Sequence, residues 1–266
     1  MCTTCGCSPE VLLKHDHAGG EHSHPEHEHV HPHGHAHDHG HDHHAHKNGR
    51  RTVIAIEEDI LARNNRLASF NRALFTEKGI FVLNLVSSPG SGKTSLLERT
   101  LRDLSGKYRF SVIEGDQQTD NDARRIAATG VAVRQINTGA GCHLDAHQVM
   151  HGTEGFDLDN LDILMIENVG NLVCPASFDL GEHHKVAVLS VTEGEDKPLK
   201  YPQMFHNSTV MLLNKTDLLP HLDFDLEKCR EYARRVNPAL IIFEVSARTG
   251  EGMEAWYHWL GEGAAR

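Results

Sequence analysis

Apolar residues recur along this chain in two rhythms. Short runs rich in Val, Ile, Leu and Phe occupy residues 81–86, 110–113, 131–136, 163–166, 186–191, 210–213 and 241–245. Their length and β-branched content, and the polar or Gly-containing segments between them, predict strands. Residues 95–104, 123–129 and 226–236 instead carry helical spacing. A further helix is expected over residues 54–75, where Ile56, Ile60, Leu67 and Leu74 recur with Arg and Asn between them. The alternation predicts an α/β fold with a mostly parallel sheet of about seven strands and helices on both faces. Ligands of such sheets bind beyond the carboxyl ends of the strands, so the loops there are the place to look for chemistry.

The start of the chain breaks this pattern. Residues 15–46 hold fifteen of the 23 histidines, set among Gly, Asp, Glu, Pro and Ala with almost no large apolar side chain. Such a segment cannot bury enough surface to offset chain entropy and is expected to be disordered. Composition shifts near Arg50, which divides the chain into a Cys/His-rich tail, 1–50, and an α/β domain with an N-terminal helical extension, 51–266.

Charge narrows the partners. A formal net charge of −11 argues against a nucleic-acid ligand, which would need counterions replaced on its backbone. No run approaches the roughly 18 apolar residues that span a bilayer, so no membrane partner is expected. Met1-Cys2-Thr3-Thr4-Cys5 lacks the basic-then-apolar pattern of a secretory signal. A cytoplasmic location is the expectation, with the six cysteines as metal ligands or core thiols rather than disulfides.

The loop after the first strand reads Ser87-Ser88-Pro89-Gly90-Ser91-Gly92-Lys93-Thr94 and opens into a helix at Ser95. Strand, Gly-rich loop and helix in this order make a phosphate loop, as in P-loop NTPases. Gly90, Ser91 and Gly92 can turn backbone N–H groups onto phosphate oxygens at the positive end of the helix. Lys93 can reach the β- and γ-phosphates, and the Thr94 hydroxyl can ligate Mg²⁺. Ser87 stands where the motif usually has Gly.

A later strand runs into Asn214-Lys215-Thr216-Asp217. Guanine offers N1–H and a 2-amino group on one edge, which an ionised Asp217 can accept together; adenine would leave that carboxylate unpaired. Asn214 is assigned to the other edge of the base, the Lys215 stem to its face, and a backbone N–H of Ser246-Ala247 to O6. The expected cofactors are thus GTP, GDP and Mg²⁺. Asp116, at the end of the second strand, is the first choice for Mg²⁺, with Glu167 as a further carboxylate. Asp120 and Asp122 follow in a polar loop that could close over the γ-phosphate, though Asp122 equally suits the start of a helix. The catalytic candidates are Lys93, Asp116 and Asp120. No glutamine or arginine finger is evident, so hydrolysis is expected to be slow.

Two groups of soft ligands remain. Cys2, Cys5 and Cys7 form Cys-x-x-Cys-x-Cys, and three close thiolates suit Ni²⁺, Zn²⁺ or Cu⁺. Cys142-His143 and Cys174 follow two different strands and could meet at the nucleotide side; equally, both could be small core thiols. Cys229 reads as core. His147, His151, His183 and His184 have no evident partners in the sequence. The histidine tract suits buffering of Ni²⁺ or Zn²⁺.

Together these residues resemble the hydrogenase nickel-incorporation GTPases, the HypB family. The matching segments are Cys2 to Cys7, Ser87 to Thr94, Glu114-Gly115-Asp116, Gly141 to Asp145, Glu167 to Pro175, Thr192 to Pro198 and Asn214 to Asp217. That family carries Ser at the Ser87 position. The resemblance implies a GTPase that forms a GTP-promoted homodimer. It implies nickel delivery to the large subunit of [NiFe] hydrogenase together with a HypA-type nickel chaperone. It also implies a nickel site at Cys2, Cys5 and Cys7, and a nickel or zinc site at Cys142, His143 and Cys174 at the dimer interface. A nickel or zinc storage protein and a urease-type accessory GTPase are the competing readings. The adjacent Cys-His pair and the N-terminal triple Cys favour the hydrogenase reading over the urease one.

Overall fold

The computed structural model describes residues 45–117 and 119–265, with side chains from residue 55 onward. The expected tail disorder and the Cys2, Cys5 and Cys7 site lie outside those residues. The chain divides after Glu58. The part from Asp59 onward contains the sheet and both candidate sites; the preceding part contributes only the beginning of α1 (Ala45–Glu77) to the described residues.

All seven apolar runs form strands: β1 (Phe81–Ser87), β2 (Phe110–Asp116), β3 (Ala132–Asn137), β4 (Ile163–Gly170), β5 (His184–Ser190), β6 (Val210–Asn214) and β7 (Ile241–Glu244). They make one sheet in the order β3-β2-β4-β1-β5-β6-β7, and every pairing is parallel. β2 and β4 run past their apolar cores because the ladder between them continues into polar residues, with Glu114 opposite Glu167.

The helices cover both faces, which is why the central strands read as unbroken apolar runs. Along β1, Leu83 and Leu85 point into one core with Leu96 and Leu101 of α2 (Lys93–Leu104). Val82 and Val86 point to the other face, as the two-residue period of a strand requires. α3 (Asn121–Ala127), α4 (Ala146–Gly152), α5 (Lys197–Lys200) and α6 (Pro202–Asn207) are short connectors. α7 is Leu226–Val236, and α8 (Met253–Ala264) closes the first core with the fully buried Trp256, whose indole N–H donates to Thr100 Oγ1 at 3.1 Å. On α1, Ile56 and Ile60 are exposed while Asn64 and Asn71 are buried. That helix packs through polar anchors as well as through Ala68 and Phe75. Among the described residues no helix is long and apolar enough to cross a membrane.

Candidate nucleotide and metal sites

The loop between β1 and α2 wraps a cavity of about 590 Å³ at the carboxyl edge of the sheet. Gly90, Ser91, Gly92, Lys93, Thr94 and Ser95 line it, with Asp116 and Asp122 opposite. Gly92 has φ 87°, and a Cβ there would lie 2.6 Å from Asn214 Nδ2, so only glycine fits. The Lys93 ammonium donates to Glu167 Oε1 at 2.9 Å and to the Asn168 carbonyl at 2.6 Å. The Thr94 hydroxyl donates to the same Glu167 oxygen at 2.6 Å. Glu167 thus holds the two side chains that a phosphate and its cation would claim.

Beside it lies a group the sequence reading left without a role. Glu114 is almost wholly buried, and burial together with the carboxylates of Glu167 and Asp116 pushes its carboxyl up to about 8. Among the described residues, Glu114 Oε2 and Glu167 Oε2 are buried with no hydrogen-bond partner. Two orphaned carboxylate oxygens beside a threonine hydroxyl fit a hard divalent cation, which would supply the missing charge. The register of β2 on β4 creates this pair, and no local motif announces it. Asp116 accepts from the Thr119 hydroxyl at 2.9 Å and from the Gln117 N–H. Asp120 is turned to Arg124 at 2.6 Å and is not among the cavity-lining residues; Asp122 is, in the first turn of α3.

A second cavity of about 200 Å³ shares Gly92, Ser95 and Lys215 with the first and is completed by Asn214, Asp217, Leu218, Ala247 and Arg248. Lys215 is the one non-glycine residue with positive φ among those described, at 63°. That turn sends its ammonium to the Gly90 carbonyl at 2.7 Å and its stem along the wall between the cavities. Asp217 accepts from the Ser246 hydroxyl at 2.6 Å, which orients its carboxylate at the cavity wall. Asn214 lines the same cavity and makes two hydrogen bonds there. Its amide nitrogen donates to the Ser91 carbonyl at 3.0 Å and its oxygen accepts from Ala247 N–H at 3.2 Å. It therefore braces the phosphate loop against the loop after β7.

Cys142, His143 and Cys174 come together: one ligand atom from each lies within 4.8 Å of the others. Cys142 and His143 sit between β3 and α4. An Asp145 capping box with Gln148 fixes the start of α4 directly after them. Cys174 opens a short 3₁₀ turn, Cys174–Ala176, beyond β4. The neighbouring Cys174 sulfur, and then burial, hold the Cys142 thiol above its ordinary value. Burial pulls His143 below its own, keeping it neutral and able to ligate. The half-buried trio supplies two soft donors and one borderline donor.

The CobW/HypB/UreG nucleotide-binding domain matches residues 81–244. The hydrogenase maturation factor HypB of Rhizobium leguminosarum bv. viciae is 56% identical over all of this chain and 97% of its own. That of Azotobacter vinelandii is 65% identical over 78% of this chain and 69% of its own. This chain belongs to the HypB family of hydrogenase maturation factors. A crystal structure of HypB from Helicobacter pylori in complex with nickel is 38% identical, with a TM-score of 0.73 over 76% of this chain and 95% of that one. HypB from Archaeoglobus fulgidus gives 38% identity and a TM-score of 0.71 over 76% and 99%. The P-loop GTPase fold and the nucleotide-binding domain follow from this membership.

In this HypB-family chain a buried polar network underlies the trio. The Asn168 side-chain oxygen accepts from Leu144 N–H at 3.0 Å, next to His143, while its backbone carbonyl holds Lys93. Its amide donates to Asn84 Oδ1, and Asn84 donates to Glu182 at 3.1 Å. Lys185, only 7% exposed, faces Glu182 at 3.9 Å and donates to the carbonyls of Pro175, Ala176 and Phe178 at 2.9–3.1 Å. It therefore anchors the turn that carries Cys174. α1 secures the same loops: Asn64 bonds Ala146 N–H and the Asp179 carbonyl, and Asn71 bonds the Ala146 and Leu180 carbonyls. No role for Asn168, Lys185 or the two asparagines was readable from the sequence, because burial and long-range pairing create those roles.

Proposed function

We propose that this chain is a GTP-hydrolysing nickel metallochaperone that helps insert nickel into the large subunit of [NiFe] hydrogenase. The observation that carries this reading is the direct connection between the two sites. Lys93 of the phosphate loop bonds Glu167 and the Asn168 carbonyl, and the Asn168 side chain holds the loop of Cys142 and His143.

The proposed cycle begins with nucleotide binding. Phosphate oxygens draw Lys93 and Thr94 away from Glu167, and Asp217 selects guanine through its N1–H and 2-amino group. Thr94, Asp116 and Glu167, with the buried Glu114 carboxyl beside them, would hold Mg²⁺, which would supply charge to the phosphates. Lys93 would stabilise charge developing on the γ-phosphate, and Asp116, which lines the cavity, would orient the attacking water. Release of Lys93 from the Asn168 carbonyl lets β4 and its continuation to Cys174 shift, changing the spacing of the trio. Three donors leave the coordination shell of nickel or zinc unfinished, so a second copy of the chain in a GTP-promoted homodimer is assigned to complete it. A HypA-type nickel chaperone and the hydrogenase large subunit are the proposed partners. Cys2, Cys5 and Cys7 with the histidine tract are the proposed nickel reserve, residues 1–50, ahead of the GTPase domain, 51–266, in the cytoplasm.

The test uses the full chain with Cys2, Cys5 and Cys7 replaced by Ala. The remaining accessible thiols are then Cys142 and Cys174, since Cys229 is fully buried. Thiolate-to-nickel absorption therefore reports the trio alone, whatever the histidines bind. The expected result is a nickel affinity that differs at least about fivefold between GDP and a non-hydrolysable GTP analogue. Equal affinities would remove the coupling from the mechanism.

A further inference from the structure

One side chain joins the phosphate cavity to the loop of Cys142. Gln117 follows Asp116 at the end of β2 and lines the cavity of about 590 Å³ together with Lys93, Thr94 and Asp116. Its side-chain Nε2 donates at 3.1 Å to the Gly141 carbonyl, which belongs to the peptide bond leading into Cys142.

The register of β2 on β3 explains this reach. Asp116 pairs with Asn137, so the chain leaves the two strands side by side. After β3 it turns at once. Gly141 N–H donates to the Thr138 carbonyl at 2.8 Å, and a Cβ on Gly141 would lie 3.0 Å from that same oxygen. Thr138 fastens the turn to β2 through its N–H, which donates to the Asp116 carbonyl at 2.9 Å. Its hydroxyl donates to the Gly141 carbonyl at 2.9 Å. That carbonyl therefore accepts one bond from its own turn and one from the nucleotide cavity. A turn closed this tightly passes a displacement on to Cys142 instead of absorbing it.

The two donors differ in what can move them. Thr138 lines neither the phosphate cavity nor the base cavity. Gln117 lines the first, and its side chain is exposed, so hydrogen bonds and not packing set its direction. A γ-phosphate offers acceptor oxygens that GDP lacks, and a glutamine amide is a donor suited to them. We propose that Gln117 is a positioning residue that reports the γ-phosphate to the metal site. With GDP it holds Cys142 through the Gly141 carbonyl; with GTP it turns to the phosphate and releases Cys142. This rests on the guanine-nucleotide and nickel reading of the two sites and adds a second path between them. Lys93, Asn168 and β4 act on Cys174, whereas Gln117 acts on Cys142.

The experiment uses the full chain with Cys2, Cys5 and Cys7 replaced by Ala, saturated with Mg²⁺ and either GDP or a non-hydrolysable GTP analogue. Nickel binding is read by thiolate-to-nickel absorption. Gln117→Leu removes the donor at an exposed position, and Thr138→Val removes the other donor on the same carbonyl. In Gln117→Leu the nickel affinity with GDP should move towards the value with the analogue, while the affinity with the analogue stays put. The parent difference of about fivefold then shrinks to about twofold or less. Thr138→Val should change both affinities alike and keep the ratio. A full fivefold difference in Gln117→Leu would overturn the proposal and leave the path through Asn168 standing. An equal loss of affinity in both nucleotide states would also overturn it, making Gln117 an anchor like Thr138. Equal affinities already in the parent would remove the coupling itself, and this path with it.

Discussion

Gly92 carries two constraints at once. Its φ of 87° is strained for any residue with a Cβ, and the space a Cβ would need is taken by Asn214 Nδ2. Gly92→Ala is therefore expected to disturb the phosphate loop and the base pocket together, lowering affinity for GDP and GTP analogues by about 10–100-fold, or about 1.4–2.8 kcal/mol. Titration with a fluorescent guanine nucleotide reads this, and unchanged affinity would show that the two loops are not braced through Asn214. The sequence revealed Gly92 because a phosphate loop is a contiguous signal. Glu114 had no role readable from the sequence because its raised pKa arises from burial and then from Glu167, which the strand register sets opposite it. His183 is a similar case. Its Nδ1 accepts from Val82 N–H at 3.1 Å, and burial, then the Arg72 charge, hold its pKa below the ordinary 6.5. The unfolded chain takes up that proton as pH falls through 6.5, while the folded chain resists it. This contribution to stability is thus intact above 6.5 and is lost on acidification, with a slope of at most about 1.4 kcal/mol per pH unit. Denaturant melts at several pH values should show the wild type weakening faster than His183→Gln below pH of about 6.5; parallel curves would exclude His183 as the cause.

Among the elements, the strands were legible and their partners were not. Each apolar run became a strand because both faces of the sheet are covered, whereas the order β3-β2-β4-β1-β5-β6-β7 depends on crossovers that leave no local trace. The short α4, α5 and α6 carry too few turns to show a period, and α1 hides its packing in Asn64 and Asn71. The turn Cys174–Ala176 shows the consequence: its position depends on Lys185, a buried lysine on β5. Lys185→Met keeps the stem and removes three bonds to carbonyls. The expected cost is about 1–3 kcal/mol of stability, because the carbonyls lose a charged donor. Nickel affinity at the trio should fall about tenfold, by roughly 1.4 kcal/mol, with nucleotide affinity unchanged. Denaturant unfolding and thiolate-to-nickel absorption separate the two effects. Lost stability with full nickel affinity would make Lys185 a packing residue only.

For the molecule as a whole, both sites sit on one edge of the sheet, so a strand that moves at the phosphates moves next to the thiolates. The fifteen histidines at 15–46 add a different kind of link. A segment tethered to the domain presents any metal it holds at an effective concentration in the millimolar range, independent of the dilute metal outside. If the proposed function holds, such a reserve matters only when free nickel is scarce, since abundant nickel would fill the trio from solution. Deleting residues 15–46 while keeping Cys2, Cys5 and Cys7 separates the histidines from the thiolates. The expected outcome is hydrogenase maturation at the full level with added nickel and a loss of several-fold at limiting nickel, measured as hydrogenase activity in cells carrying the deletion. Purified deletion protein should bind guanine nucleotide as the full chain does, because among the described residues those that line the two cavities all lie from Ser87 onward. Full maturation at limiting nickel would make the histidine reserve dispensable and leave delivery to the cysteines alone. Failure even with added nickel would place the histidines in the delivery step itself.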